Sequence, residues 1–202
     1  VPTTWTDPAS FTAGQICRAS DLNTISSGLK FVAKRPITLL RQASGATTTT
    51  IADSTPVAIP FATEVVDRGD VDGTGMHDTS TNTTQIKPIV AGWYLVSGCV
   101  VFDAGSGGTN YYGFREARIY KNGSIAYNAA TARTSATTYY YGSPVAAAAK
   151  SVVVTVGPML VSMNGSTDYI ELYAYQDSGY TLSTTSAASL GSWFQAVWVS
   201  PL

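Results

Sequence analysis

The sequence predicts an all-β fold, a sandwich or jelly roll of about ten strands. Three observations carry that expectation. Apolar and aromatic runs of strand length follow one another from residue 37 to residue 199 with no helical stretch between them. Turn clusters separate the runs: "SGATTTTIADST", "DRGDVDGTG", "DAGSGGTN", "KNGS", "MNGS" and "QDSG". Two of these clusters contain Asn-Gly, the strongest short-range hairpin signal.

The chain of 202 residues divides unevenly into residues 1–35 and residues 36–202. The first part opens with an extended, turn-rich run, "WTDPASFTAGQI". "SDLNTISSGLKFVAK" then predicts a short amphipathic helix, with Ser20 as N-cap and Leu22, Ile25, Leu29 and Val32 on one stripe. Its alternating steps of three and four suit either packing against the body or a brief trimeric seam. Gly28 and the paired serines weaken it as an isolated helix, so it is expected to be stable only when docked. Pro36 ends it. Strands are expected at 37–41, 57–61, 64–66, 84–87, 92–102, 112–120, 125–128, 138–141, 152–163, 169–176 and 192–199.

Three of these strands are apolar on both sides. In "AGWYLVSGCVVF", Trp93, Leu95, Cys99 and Val101 alternate with Tyr94, Val96, Val100 and Phe102. Near the C-terminus Tyr169, Tyr173 and Tyr175 oppose Ile170, Leu172 and Ala174, and Trp193, Val197 and Val199 oppose Phe194, Ala196 and Trp198. An antiparallel sandwich normally turns a polar side to water. If the three strands share one sheet, its bare outer side exceeds the few hundred Å² that a soluble monomer tolerates. Burial against other copies in a closed ring is then expected, in an obligate interface of about 2,000 Å² or more. The residues expected there are Trp93, Leu95, Tyr169, Tyr173, Tyr175 and Trp193.

Composition removes several function classes. Only 12% of residues are charged and the net charge is -1, so neither nucleic acid nor an anionic membrane surface is an expected partner. No apolar run approaches the roughly 20 residues that span a bilayer, and the first ten residues lack the basic and apolar regions of a signal peptide. Cys17 and Cys99 make no disulfide framework and read as two small buried thiols.

Chemistry is sparse as well. His77 is the single histidine, so a His-dependent triad or multi-His metal site is not expected. Asp67, Asp70 and Asp72 resemble an acidic calcium loop but lack its terminal bidentate Glu, and Arg68-Gly69-Asp70 reads as a loop between early strands. Glu116 and Glu171 read as ion-pair partners of strand neighbours such as Arg115 and Arg118, with no glycosidase spacing. No catalytic residue, metal or cofactor is expected. The tyrosines of "NYYGF" and "TTYYYG", namely Tyr111, Tyr112, Tyr139, Tyr140 and Tyr141, are candidate ligand loops, because rigid aromatics with a polar tip stack on sugar rings.

"FATEVVDRGDVDGTG", "IKPIVAGWYLVSGCVVF", "ARIYKNGS", "SVVVTVGPMLVSMNGSTDYIELYAY" and "GSWFQAVWV" follow in order the landmarks of one superfamily. Residues 36–202 resemble the tumour necrosis factor and complement-globular-head superfamily, most specifically at Pro88, Ala91, Gly92 and Tyr94, at Lys121 to Gly123, and at Phe194. The resemblance implies a ten-stranded jelly roll in a compact homotrimer, with inner-sheet aromatics lining the three-fold axis. The chain departs from the pattern at "LVSMNGSTDYI", where the family has a Gly-Asp turn, and at the longer, more polar "TARTSATTYYYGSPVAAAAK". Both departures leave exposed loops unassigned.

Trp5, Pro8, Phe11, Gly14, Ala19, Leu22 and Asn23 form a different pattern, W-x-x-P-x-x-F-x-x-G-x-x-x-x-A-x-x-L-N. It is similar to the start of many tailed-phage virion proteins, notably of phages infecting actinobacteria. That resemblance implies a virion component assembled in the host cytoplasm, with Trp5, Pro8, Phe11, Leu22, Ile25 and Leu29 anchoring it to other virion proteins. The expected function is a trimeric surface knob, either a capsid decoration or head fibre, or a minor tail protein. Two alternatives remain: a receptor-binding tail protein recognising cell-wall carbohydrate on the host surface, and a secreted protein-binding ligand of the tumour necrosis factor or complement kind.

Overall fold

The computed structural model describes residues 13–16, 18–42, 48–70, 72–103, 113–127, 131–135, 152–187 and 190–202. Cys17, Trp5, Pro8, Phe11 and the tyrosines at 111, 112, 139, 140 and 141 lie outside the described residues. One helix, α1 (Ala19–Ala33), precedes the strands. These are β1 (Ile37–Arg41), β2 (Thr50–Ile51), β3 (Val57–Ala58), β4 (Thr63–Arg68), β5 (Gln85–Ile86), β6 (Gly92–Phe102), β7 (Phe114–Lys121) and β8 (Ser124–Ile125). They continue with β9 (Thr131–Ser135), β10 (Val152–Met163), β11 (Ile170–Gln176), β12 (Leu182–Ser183), β13 (Ser186–Ala187), β14 (Leu190–Gly191) and β15 (Trp193–Ser200).

Two antiparallel sheets make the body. The first runs β10-β6-β15-β1-β4; the second runs β3-β11-β7-β8, with β5 also on β11 and β9 on β7. The chain passes back and forth between them: β1, β4, β6, β10 and β15 belong to the first sheet, β3, β5, β7, β8, β9 and β11 to the second, and β2 with β12 and β13 with β14 form two small separate ladders. That alternation is the jelly-roll architecture, as the sequence predicts.

The core lies where the two sheets face each other. From the first sheet come Tyr94, Val96, Val100, Phe102, Leu40, Phe194 and Ala196; from the second come Ala117, Ile119, Ile170, Leu172 and Ala174, all essentially without exposure. Phe61 stacks on Phe194 at a centroid distance of 6.3 Å. The sheets approach closely at Gly98, where a Cβ would stand 2.8 Å from Leu172 Cδ1 and 3.1 Å from Phe194 Cδ2. Glycine is required there for space, since the two large side chains occupy its missing volume.

Three expectations are corrected. β11 pairs with β7, β3 and β5 in the second sheet, whereas β6 and β15 pair with each other in the first, so the three two-sided strands do not share a sheet. The helix starts at Ala19 rather than after Ser20: the N-cap is Arg18, whose backbone N–H donates to the Asp21 carboxylate at 2.9 Å. The helix also docks by a different residue. Phe31 is buried edge-on against Trp198, with ring centroids 4.9 Å apart, while Leu22, Leu29 and Val32 are 57%, 66% and 58% exposed.

Replacing Gly98 with alanine is expected to cost about 1–3 kcal/mol, the usual penalty of overpacking a tight core. Chemical denaturation of the variant beside the wild-type protein measures it. A neutral result would mean that Leu172 and Phe194 have room to retreat.

Candidate interaction surface

The outer face of the first sheet can be built row by row, because residues directly paired across strands point to the same side. Val197 of β15 stands between Ile37 of β1 and Leu95 of β6, and Leu95 in turn faces Leu160 of β10. Gln195 stands between Leu39 and Ser97 and donates to the Ser97 hydroxyl at 2.8 Å. Trp193 stands between Arg41 and Cys99, with Thr155 beyond, and Val101 faces Val153. Trp93 closes one end opposite Ser200 and Ser162. A groove lined by Leu39, Arg41, Cys99, Val101, Val153, Trp193 and Gln195 runs through this face.

Trp93, Leu95 and Trp193 thus lie on the same outer face of the first sheet. Tyr169, Tyr173 and Tyr175 do not, because β11 carries them on or beside the second sheet, whose outward side looks away from Trp93. Ile37, Leu39, Val153 and Leu160 were not anticipated on the surface. Their signal is the alternation within "ITLLR" and "VVVTVGPMLVSM", which puts an apolar residue on the outer side of both strands.

The second sheet's outer side is satisfied by its own groups. Tyr120 and Tyr173 stack at 4.0 Å, and the Arg118 guanidinium lies 4.0 Å above the Tyr175 ring. Glu116, nearly inaccessible, is paired with Arg118 at 2.6 Å and with Arg133. Glu171 accepts a hydrogen bond from Thr84 Oγ1 at 2.6 Å and one from the Tyr173 hydroxyl at 3.4 Å. Burial, followed by the neighbouring Glu171 charge, raises the Tyr173 hydroxyl pKa above its ordinary value.

The acidic loop after β4 is held by backbone donors. Asp70 Oδ1 accepts from the N–H groups of Asp72 and Thr74, and Asp67 accepts from the N–H groups of Met76 and His77 and from Thr38 Oγ1. Among the described residues no group of three or more His, Cys, Asp or Glu side chains could hold a metal ion. Arg68 and Asp70 are both engaged by the fold, since Arg68 donates to the Arg35 carbonyl at 3.1 Å and Asp70 is buried. His77 is wedged with Nδ1 2.8 Å from the Gln85 carbonyl oxygen and Nε2 3.0 Å from that of Phe61. Cys99 is a buried free thiol whose pKa is raised by burial. Among the described residues, no helix is long and apolar enough to cross a membrane.

No family model and no curated protein sequence matches the chain. Among solved structures, the crystal structure of murine APRIL at pH 8.5 is similar, with a TM-score of 0.47 and 10% identity over 81% of this chain and 99% of that one. At that distance the fold assignment rests on the strand order and register themselves.

Exchanging Glu116 for glutamine is expected to cost about 3 kcal/mol, because it strands the mostly buried Arg118 cation. Removing the half-exposed Arg133 side chain is expected to cost under about 1 kcal/mol. Urea unfolding of both variants gives the comparison, and equal losses would overturn the asymmetric description of this cluster.

Proposed function

We propose that the protein is a non-enzymatic structural component of a tailed-phage particle: a homotrimeric jelly-roll knob that residues 1–35 fix to other virion proteins. The observation that carries the self-association is the outer face of the first sheet. Trp93, Leu95, Ile37, Leu39, Val197, Trp193, Val153 and Leu160 share one face across four strands, interrupted at its middle by the Gln195–Ser97 pair. A face of that kind on a lone protomer is a liability, and a closed ring of identical copies removes it. The resemblance of Trp5, Pro8, Phe11, Gly14, Ala19, Leu22 and Asn23 to the start of tailed-phage virion proteins supports placing the knob on a particle.

The mechanism is shape and avidity. Three protomers lock through their apolar sheets, the second sheets face outward, and many trimers on one particle convert weak contacts into firm attachment. The second sheet suits that outward position. Its charges are paired and its aromatics are covered by one another, so it meets water without exposing a large apolar patch.

Sedimentation equilibrium tests the assembly. The wild-type chain is expected to be a trimer at micromolar concentration, and Trp93→Asp a monomer, since a charge on that face would be buried without a partner. Tyr173→Asp, on the other sheet, is expected to keep the trimer. A monomeric wild type, or dissociation by Tyr173→Asp alone, would overturn the assignment of the interface.

The attachment is tested separately. Deleting residues 1–17 spares α1 and its Phe31 dock, and is expected to leave a soluble trimer that no longer joins particles when expressed during infection. Normal incorporation of that truncation would sink the virion-anchor reading.

A further inference from the structure

We infer that α1 is the second element of self-association: its exposed stripe packs against the same stripe of two other copies, as a short parallel three-helix seam beneath the knob. This rests on the trimer reading above and assigns it a new contact. Leu22, Ile25, Leu29 and Val32 repeat at steps of three, four and three, so Leu22 and Leu29 occupy one core position of a heptad and Ile25 and Val32 the other. Leu22, Leu29 and Val32 are each more than half exposed, so the protomer's own body does not cover them.

The body has no means of covering them, because it holds the helix from elsewhere. Phe31, the one described buried residue of α1, lies about 140° around the helix from the centre of the stripe at 3.6 residues per turn. It packs against Trp198 and leaves the stripe facing away from that contact. The residues flanking the stripe are Asp21, Ser26, Gly28 and Ala33, short side chains that let three backbones come close.

The connection to the knob is fixed. Only residues 34–36 separate α1 from β1. Arg68 donates to the Arg35 carbonyl through Nε at 3.3 Å and through its terminal amine at 3.1 Å, and the Trp198 N–H donates to the Pro36 carbonyl at 3.0 Å. Both donors belong to strands of the first sheet, and Ile37 and Leu39, immediately after the link, lie on its apolar face. The helix is therefore tied to the sheet through which the copies assemble. Three knobs gathered about one axis bring their helices to that axis, and the seam leaves the residues before α1 to make the particle contact.

Cross-linking of the full-length chain tests this. In a Cys17→Ser background, Leu29→Cys and Lys30→Cys are treated with a short bis-maleimide, and sedimentation of the same samples fixes the oligomeric state. The Cys99 thiol is buried and serves as the unreactive background. Leu29→Cys is expected to give about tenfold more covalent dimer than Lys30→Cys, because only the former faces the seam. A trimer that cross-links no better at Leu29 than at Lys30 overturns the seam and leaves the sheet interface standing. A monomer overturns both. Far-UV circular dichroism confirms that each variant keeps its helix.

Discussion

Strand β6 carries apolar side chains on both of its faces, and the rest of the molecule is arranged around that constraint. Hydrophobicity alone does not choose its inner side, since a one-residue slip would exchange Trp93 and Leu95 for Tyr94 and Val96 at little cost in apolar burial. Polar tips make the choice. The Tyr94 hydroxyl, buried, donates to the Val90 carbonyl at 2.8 Å, and the Trp198 indole N–H donates to Ala91 at 3.2 Å. Turned outward, each ring would lose its buried partner, and an unsatisfied buried acceptor costs on the order of 1–3 kcal/mol. Gly98 adds a steric vote, because Leu172 and Phe194 fit only against a residue without a side chain. The inner face is fixed by specific contacts, and the outer face is left apolar as the remainder.

The two sheets solve the problem of an outer surface differently. On the second, charges and rings are paired across strands: Glu116 with Arg118 and Arg133, Tyr120 with Tyr173, and Arg118 with Tyr175. These pairs hold long side chains flat against the sheet and satisfy their charge locally, which lets the face meet water. The first sheet has one comparable pair, Gln195 with Ser97, set in the middle of apolar rows. Its edge at β10 is broken by a bulge at Gly157 and Pro158, where the register shifts between Val156 and Met159. A bulged edge with a proline is a poor template for a further strand.

Local patterning was legible and partnership was not. The bounds of β6 and β10 stand where the alternation of "GWYLVSGCVVF" and "VVVTVGPMLVSM" puts them. Sheet membership is a long-range property, and nothing in "DYIELYAYQ" distinguishes a strand that joins β6 from one that faces it across the core. β9 escaped because "TARTS" has almost no apolar signal; it is held by backbone pairing to β7 and by the Arg133–Glu116 contact. β2 lay hidden in a turn cluster for a similar reason, being two residues long and paired with β12. Of the candidate surface, Trp93, Leu95 and Trp193 were found from the strands that carry them, and the three tyrosines of β11 were misplaced with their strand.

The helix shows how a local pattern can be right about residues and leave open what they touch. Leu22, Ile25, Leu29 and Val32 do form a stripe, yet the contact with the body comes from Phe31, which lies off it. A 15-residue helix with Gly28 and adjacent serines is marginal in isolation, and one aromatic contact near its C-terminal end does little for the turns at its start. Beyond the Arg18–Asp21 cap, cover over Leu22 and Ile25 would add order to the first two turns. If identical helices supply that cover, folding of α1 and gathering of the knobs are one coupled equilibrium, in which each copy's stripe is ordered by its neighbours and dilution frays the helix before it opens the β-sandwich.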